Sequence, residues 1–210
     1  MQTSVSGRYL LHLPSHSRPA PLLAGFHGYG QRAEDELKLL CAIPGSESWL
    51  CCSIEALHPV YTEKGSTGAS WMTSRDRDRR IEENVRYVNA VVERIRALYA
   101  VNTTLCFHGF SQGAGMAWRS GLLGTYAATA LMVLGGDIPP ELSLNGCRSS
   151  VHLARGSRDR FYKEEAYERD KARLHAESVP FVTTLFSGAH KATAAYFQAA
   201  GEFLDTISGS

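Results

Sequence analysis

Charge of one sign is missing from this chain. Its 22 Lys and Arg nearly cancel 21 Asp and Glu, leaving a formal net charge of +1. That balance gives no electrostatic reason to expect nucleic acid or an anionic membrane as a partner. The one basic cluster, Arg75, Arg77, Arg79 and Arg80, is interleaved with Asp76 and Asp78 and followed by Glu82 and Glu83, which reads as a solvated helix start. Cysteine is sparse and odd in number: Cys41, Cys51, Cys52, Cys106 and Cys147 cannot all pair. Cys51, Cys52 and Cys106 lie in apolar runs, where a thiol behaves as a small buried hydrophobe. No Cys-x-x-Cys and no Cys/His ligand spacing occurs, so neither a metal nor a cofactor is expected. Met1 to Arg8 lacks the basic stretch and apolar core of a secretory leader. No apolar run approaches the roughly 20 residues of a membrane span. These absences predict a reduced, cytoplasmic setting.

Repeats, low-complexity tracts and linkers are missing too, so residues 1–210 read as a single domain, large enough to bury a core without staples. What is present alternates between strand-like and helix-like segments joined by short turns, the pattern of a mainly parallel α/β sheet. Arg8 to Leu13 alternates as an edge strand. Pro21 to Phe26, Trp49 to Ile54, Ala130 to Leu134, Val151 to Ala154 and Phe181 to Phe186 are short strand-like runs. Helices are predicted over Ala33 to Ile43, Arg77 to Tyr99, Tyr162 to Glu177 and Thr193 to Ile207. The clearest is the second, where Ile81, Val85, Val88, Val92 and Ile95 recur at spacings of four and three. Asn102 and Thr103 are read as its close, and Glu55 to Met72 as a loop.

The most informative segment is Leu105-Cys106-Phe107-His108-Gly109-Phe110-Ser111-Gln112-Gly113-Ala114-Gly115. An apolar run leads into Gly-x-Ser-x-Gly, and small residues with a helical pattern follow. The order strand, sharp turn, helix pushes the Ser111 hydroxyl out over the end of a sheet, with Gly109 and Gly113 avoiding collisions across the turn. Ser111 is therefore a candidate nucleophile.

A serine hydroxyl needs a base to take its proton, and that base needs a carboxylate to orient it. In an open parallel sheet these groups come from the carboxyl ends of strands. Of eight histidines, His190 follows the last strand at a Gly-Ala turn and keeps the chain order serine, acid, histidine. His12 and His16 read as surface residues, His27 as a loop-fixing residue, and His108 as pointing away from substrate. His58, His152 and His175 read as structural. Two aspartates compete for the acid: Asp159 in Gly156-Ser157-Arg158-Asp159, with loop enough to curl back over the sheet, and Asp137 in Gly135-Gly136-Asp137-Ile138-Pro139, which suits a turn cap. Asp159 is favoured. Attack on an acyl carbon creates an oxyanion that needs fixed donors. The backbone N–H of Gln112 is one; that of Tyr29, in His27-Gly28-Tyr29-Gly30, is the other.

Together these residues resemble the carboxylesterase/phospholipase family of α/β-hydrolases, which includes the acyl-protein thioesterases. The resemblance rests on His27-Gly28-Tyr29-Gly30, Ser70-Trp71-Met72, Gly109-Phe110-Ser111-Gln112-Gly113-Ala114, Gly156-Ser157-Arg158-Asp159 and Ser187-Gly188-Ala189-His190, in the family's order. It implies an α/β-hydrolase fold with helices on both sheet faces, a Ser111–Asp159–His190 triad, and Trp71 on the wall of the substrate groove. The chain departs from the family at Tyr29, where leucine is commoner, and at Gly135-Gly136-Asp137, which is more acidic than usual. Both departures bear on substrate rather than on reaction class.

The stretch Asp137 to Ser150 is too short and too rich in turn residues for a cap domain. The expectation is a serine esterase with an open groove, taking short- to medium-chain acyl esters as a monomer or homodimer. Thioesters or lysophospholipids are the alternative substrates of the same triad. A non-catalytic ligand-binding protein on this scaffold would show a broken triad. Because the base must be neutral, activity is expected to fall below about pH 6.

Overall fold

The computed structural model describes residues 5–15, 18–61, 65–73 and 75–208. His16 and residues 1–4 of the N-terminal stretch lie outside the described residues. Nine strands and five helices are found among those described: β1 (Tyr9–His12), β2 (Ala20–Phe26), α1 (Ala33–Cys41), β3 (Leu50–Ile54), β4 (His58–Tyr61), β5 (Thr67–Ser70), α2 (Arg77–Leu98), β6 (Val101–Phe110), α3 (Gln112–Leu123), β7 (Ala130–Leu134), β8 (Ser150–Gly156), α4 (Glu164–Ala176), β9 (Phe181–Phe186) and α5 (Ala194–Ser208). Seven strands form one sheet in the order β1-β3-β2-β6-β7-β8-β9. Every neighbouring pair is parallel except β1 with β3. The strand order reverses direction at β2 and β6, which places the crevice for a ligand above the carboxyl ends of those strands.

The central strands read as unbroken apolar runs because helices cover both faces. Side-chain alternation then sorts the core into two layers. Leu22, Ala24 and Phe26 of β2, Leu105 and Phe107 of β6, and Leu131 and Val133 of β7 face α2, α3 and α4, meeting Val88, Val92, Met116, Ala117 and Leu174. Leu23, Cys51, Cys106, Met132 and Ala154 point the other way, onto Leu40 of α1 and Tyr196, Ala200, Phe203 and Leu204 of α5. Cys51, Cys52 and Cys106 are buried in strands, as the apolar runs around them imply. The stripe in α2 is buried at Ile81, Val85, Val88, Val92 and Ile95. The basic start of that helix is spread over ion pairs of Arg79 and Arg80 with Glu83 and of Arg77 with Glu141.

Two readings of the sequence need correction. Asn102 and Thr103 do not close α2: they belong to β6, whose polar first residues extend past the buried part of the sheet, and Ala20 pairs with Val101 there. The stretch from Glu55 to Met72 is not all loop, since β4 and β5 form a two-stranded antiparallel hairpin. A hairpin of this size gains its stability by docking. Here Gly30 N–H donates to the Ala69 carbonyl and Ala69 N–H to that of Gln31, so the hairpin is clipped to the glycine-rich loop after β2.

One buried titratable group sets a pH response. His152 of β8 stacks on Tyr196 with ring centroids 5.9 Å apart and bonds Thr184 Oγ1 through Nε2 at 2.8 Å. Burial, and then the nearby His108, push its imidazole down to about 4. Between an ordinary histidine value of about 6.5 and that depressed one, the unfolded chain holds a proton that the folded chain does not. Stability is therefore full above about pH 6.5 and is lost as pH falls, by at most about 1.4 kcal/mol for each pH unit. Urea unfolding of wild type and His152→Leu at pH 7, 6 and 5 is expected to show the wild type losing more stability on acidification. Parallel curves would remove this role.

Candidate active site

β6 delivers Ser111 to the top of the sheet. Its backbone stands at φ 55°, ψ −119°, a left-handed excursion that a serine adopts only when its surroundings hold it there. Ser111 N–H donates to the Leu134 carbonyl at 2.9 Å, tying the turn to the end of β7. α3 then starts so close to β2 that a Cβ at Gly113 would come within 1.9 Å of the Phe26 oxygen, and one at Gly109 within 2.3 Å of the Gly113 oxygen. The two glycines are thus steric requirements of the turn.

The loops after β8 and β9 meet over this serine. Ser157 N–H donates to the Phe186 carbonyl and Arg158 N–H to that of Gly188, so the two loops are joined backbone to backbone. His190 Nε2 lies 2.8 Å from Ser111 Oγ, and His190 Nδ1 lies 2.7 Å from Asp159 Oδ2. With the carboxylate accepting from Nδ1–H, Nε2 carries the lone pair that faces the serine O–H. The second oxygen, Asp159 Oδ1, accepts the N–H groups of Phe161 and Tyr162 at 2.9 and 3.0 Å. Asp159 is therefore fixed at both oxygens, and its side chain is 1% exposed against 17% for His190. Phe110 and Phe161 pack on the imidazole, with centroids 5.0 and 4.8 Å away. Phe161 leaves most of its ring in solvent at the mouth of the site.

The competing aspartate lies elsewhere. Asp137 is half-exposed and pairs with Arg169 at 3.4 Å, while Asp159 holds the histidine. Its position before Ile138-Pro139 turns the chain away from the site. The Ile138 N–H donates to the buried Asp170, whose carboxyl is pushed up by burial and which also accepts the Tyr162 hydroxyl.

On the opposite side, Gly28 rests against the turn: a Cβ there would stand 3.3 Å from Ser111 Cβ. Gly28 N–H donates to Gln31 Oε1 at 2.8 Å and Gln31 N–H to the Gly28 carbonyl, closing the loop. Among the described residues no protein group accepts from the N–H of Tyr29 or Gln112. Two unclaimed donors thus lie in the segments next to Ser111: Tyr29 follows Gly28, and Gln112 opens a helix, where the backbone favours negative charge. The Tyr29 ring is largely exposed. His27 fixes the loop base, accepting the Ala56 N–H at Nε2, and His108 points into the layer beneath the sheet. No cluster of three or more metal-ligating side chains occurs among the described residues.

Trp71 does not fit the expected groove wall. Its side chain is fully buried, edge-on to Phe26, and Nε1–H donates to the His27 carbonyl at 3.0 Å. Its backbone is equally occupied, with N–H donating to Gln112 Oε1 and carbonyl accepting from Asn84. Trp71 is a core strut behind the glycine-rich loop. The Gln112 side chain and the hairpin residue Ser70, joined at 3.2 Å, complete the strut. The site lies within reach of three residues that sequence spacing did not single out, Gln31, Phe110 and Phe161. Their roles depend on contacts between distant segments.

No family model matches the sequence, and no curated protein does. Solved structures do. Esterase PE8 aligns over 98% of this chain and 100% of its own, with a TM-score of 0.74 at 21% identity. The Bacillus cereus carboxylesterase aligns over 96% of this chain and 94% of its own, with a TM-score of 0.77 at 16% identity. Zea mays acyl-protein thioesterase 2 aligns over 96% of this chain and 99% of its own, with a TM-score of 0.72 at 18% identity. The chain has the α/β-hydrolase fold, in a compact form without a cap domain, and its structural neighbours are esterases, carboxylesterases and an acyl-protein thioesterase.

As a core strut, Trp71 is expected to matter most for stability. Trp71→Ala is expected to cost about 3–5 kcal/mol in chemical unfolding. A loss below about 1 kcal/mol would return the ring to the groove.

Proposed function

We propose that this chain is a serine carboxylesterase that hydrolyses short- to medium-chain carboxylic esters through an acyl-enzyme. The observation that carries the reading is the unbroken hydrogen-bond chain Ser111 Oγ–His190–Asp159, at 2.8 and 2.7 Å, beside two unclaimed backbone donors. Ser111 Oγ attacks the ester carbonyl carbon while His190 Nε2 takes its proton. Asp159 holds the Nδ1–H tautomer and stabilises the imidazolium as it forms. The oxyanion accepts from the N–H groups of Tyr29 and Gln112. On collapse, Nε2–H protonates the departing alcohol, and the alcohol leaves. A water molecule, deprotonated by the same nitrogen, then attacks the acyl carbon and frees the acid and Ser111.

The segment between β7 and β8 carries no helix to fold over the site. An open groove of this kind favours shallow acyl contacts, without interfacial activation. The likeness to Zea mays acyl-protein thioesterase 2 favours thioester hydrolysis as a second reading with the same residues. No helix among the described residues is long and apolar enough to cross a membrane.

Hydrolysis of p-nitrophenyl butyrate tests the reading. Ser111→Ala is expected to lose activity by about 10⁴-fold or more and to resist a fluorophosphonate probe, and Asp159→Asn to lose about 10³–10⁴-fold in kcat. Asp137→Asn is expected to stay within about twofold, since a rim charge away from the reacting atoms contributes little. Undiminished turnover by folded Ser111→Ala overturns the proposal. A series of butyrate, octanoate and palmitate esters beside butyryl and palmitoyl thioesters separates the two substrate classes.

A further inference from the structure

Beneath the reacting surface lies a second polar chain that the esterase reading leaves unused. Glu36 of α1, His108 of β6 and Tyr196 of α5 are all essentially unexposed. Glu36 Oε1 stands 2.5 Å from His108 Nδ1, and the Tyr196 hydroxyl stands 2.7 Å from His108 Nε2. The sheet is shaped to admit them. Gly25 of β2 is in register with His108, and a Cβ there would come within 2.6 Å of Glu36 Oε1. A glycine in the middle of a buried strand marks such a close approach. On the other side His108, Met132 and His152 lie in one row across β6, β7 and β8. Tyr196 spans that row, with its hydroxyl on His108 and its ring stacked on His152.

The placement along the chain gives the cluster its meaning. His108 lies on β6 three residues before Ser111, Tyr196 follows His190 by six, and Glu36 lies in the helix that begins directly after the Tyr29 loop. Each member therefore belongs to the segment that carries a different part of the site: nucleophile, base and oxyanion donor. Apolar packing alone would hold these three elements together while allowing them to slide. Directional hydrogen bonds between fully buried groups do not, because a slip breaks the Glu36–His108 or His108–Tyr196 bond where no water replaces it. Glu36 Oε2 itself has no partner among the described residues. Leucine-like side chains would serve burial equally well.

We propose that Glu36, His108 and Tyr196 form a positioning network that fixes the spacing of Ser111, His190 and the Tyr29 loop from below the sheet. The proposal rests on the esterase reading for what the spacing is used for. None of the three touches substrate; they are positioning residues. Sub-ångström precision at the reacting atoms is worth large factors in rate, and only a rigid support supplies it.

Tyr196→Phe keeps the ring and its packing and removes only the hydroxyl. It is expected to lower kcat for p-nitrophenyl butyrate about tenfold. KM should stay within about twofold, and fluorophosphonate labelling should slow by the same factor as kcat. Glu36→Gln, which keeps the shape of the side chain, should lower kcat similarly, and the two changes combined should cost no more than the larger one. Thr184→Val is the control: it breaks the His152 bond in the same buried layer but leaves the network intact, and kcat should hold even if the melting temperature falls. Equal effects of Tyr196→Phe and Thr184→Val on kcat, no effect of either, or multiplying effects of Tyr196→Phe and Glu36→Gln would overturn the network. If wild type itself fails to label, the esterase reading falls instead. The network is then judged by the imidazole NMR resonances of His190, which should shift in Tyr196→Phe and not in Thr184→Val; no shift overturns it.

Discussion

The end of β6 has no slack. α3 must begin within one residue of the strand, pressed against β2 so tightly that only hydrogen fits at Gly113. That closeness forces Ser111 into its left-handed backbone state, which survives because the Leu134 carbonyl and the loops around it leave no alternative. The rest of the site is arranged to meet one hydroxyl whose direction is already settled. The loops after β8 and β9 are clipped to each other, Asp159 is held at both oxygens, and the loop after β2 is braced by the hairpin. Strain at one residue is offset by hydrogen bonds spread over five segments.

Parallel topology explains how the loops of the main sheet come together. Strand carboxyl ends gather at one edge of the sheet, so β2, β6, β7, β8 and β9 all release their loops toward the same crevice. The same topology buries both faces of the central strands, and the lower layer can then hold polar groups as well as apolar ones. Glu36, His108, Tyr196 and His152 occupy positions where the alternation pattern alone would expect hydrocarbon.

Much of this was legible because the decisive signals are local. The apolar run before Gly109, the small residues after Ser111 and the spacing of α2 each lie within one element, and order along the chain supplied Asp159 and His190. The preference for Asp159 over Asp137 rests on loop length, and His190 Nδ1 lies 2.7 Å from Asp159 Oδ2. The readings that failed depended on partners far along the chain. The β4–β5 hairpin contains glycine, serine and threonine and exists because Ala69 finds Gly30 and Gln31. The family resemblance implies a groove-wall place for Trp71, yet its indole N–H is taken by a carbonyl 44 positions earlier. Gly25 carries no local signal of its own, because the side chain that requires it, Glu36, lies in the following helix.

Gln112 carries two jobs in different parts of one residue. Its backbone N–H is free beside Ser111, while its side-chain amide spans to Ser70 and to the Trp71 N–H. The rim of the crevice and the turn that bears the hydroxyl are thus a single mechanical part. A ligand that pushes on the hairpin pulls on the elbow, and a chain that reshapes its rim by altering Ser70 or Trp71 must retune the elbow at the same time. Drift in selectivity on this side of the crevice is therefore tethered to drift in rate. The opposite rim is tied in as well, since Phe161, whose ring stands in solvent, packs on His190 and donates its N–H to Asp159.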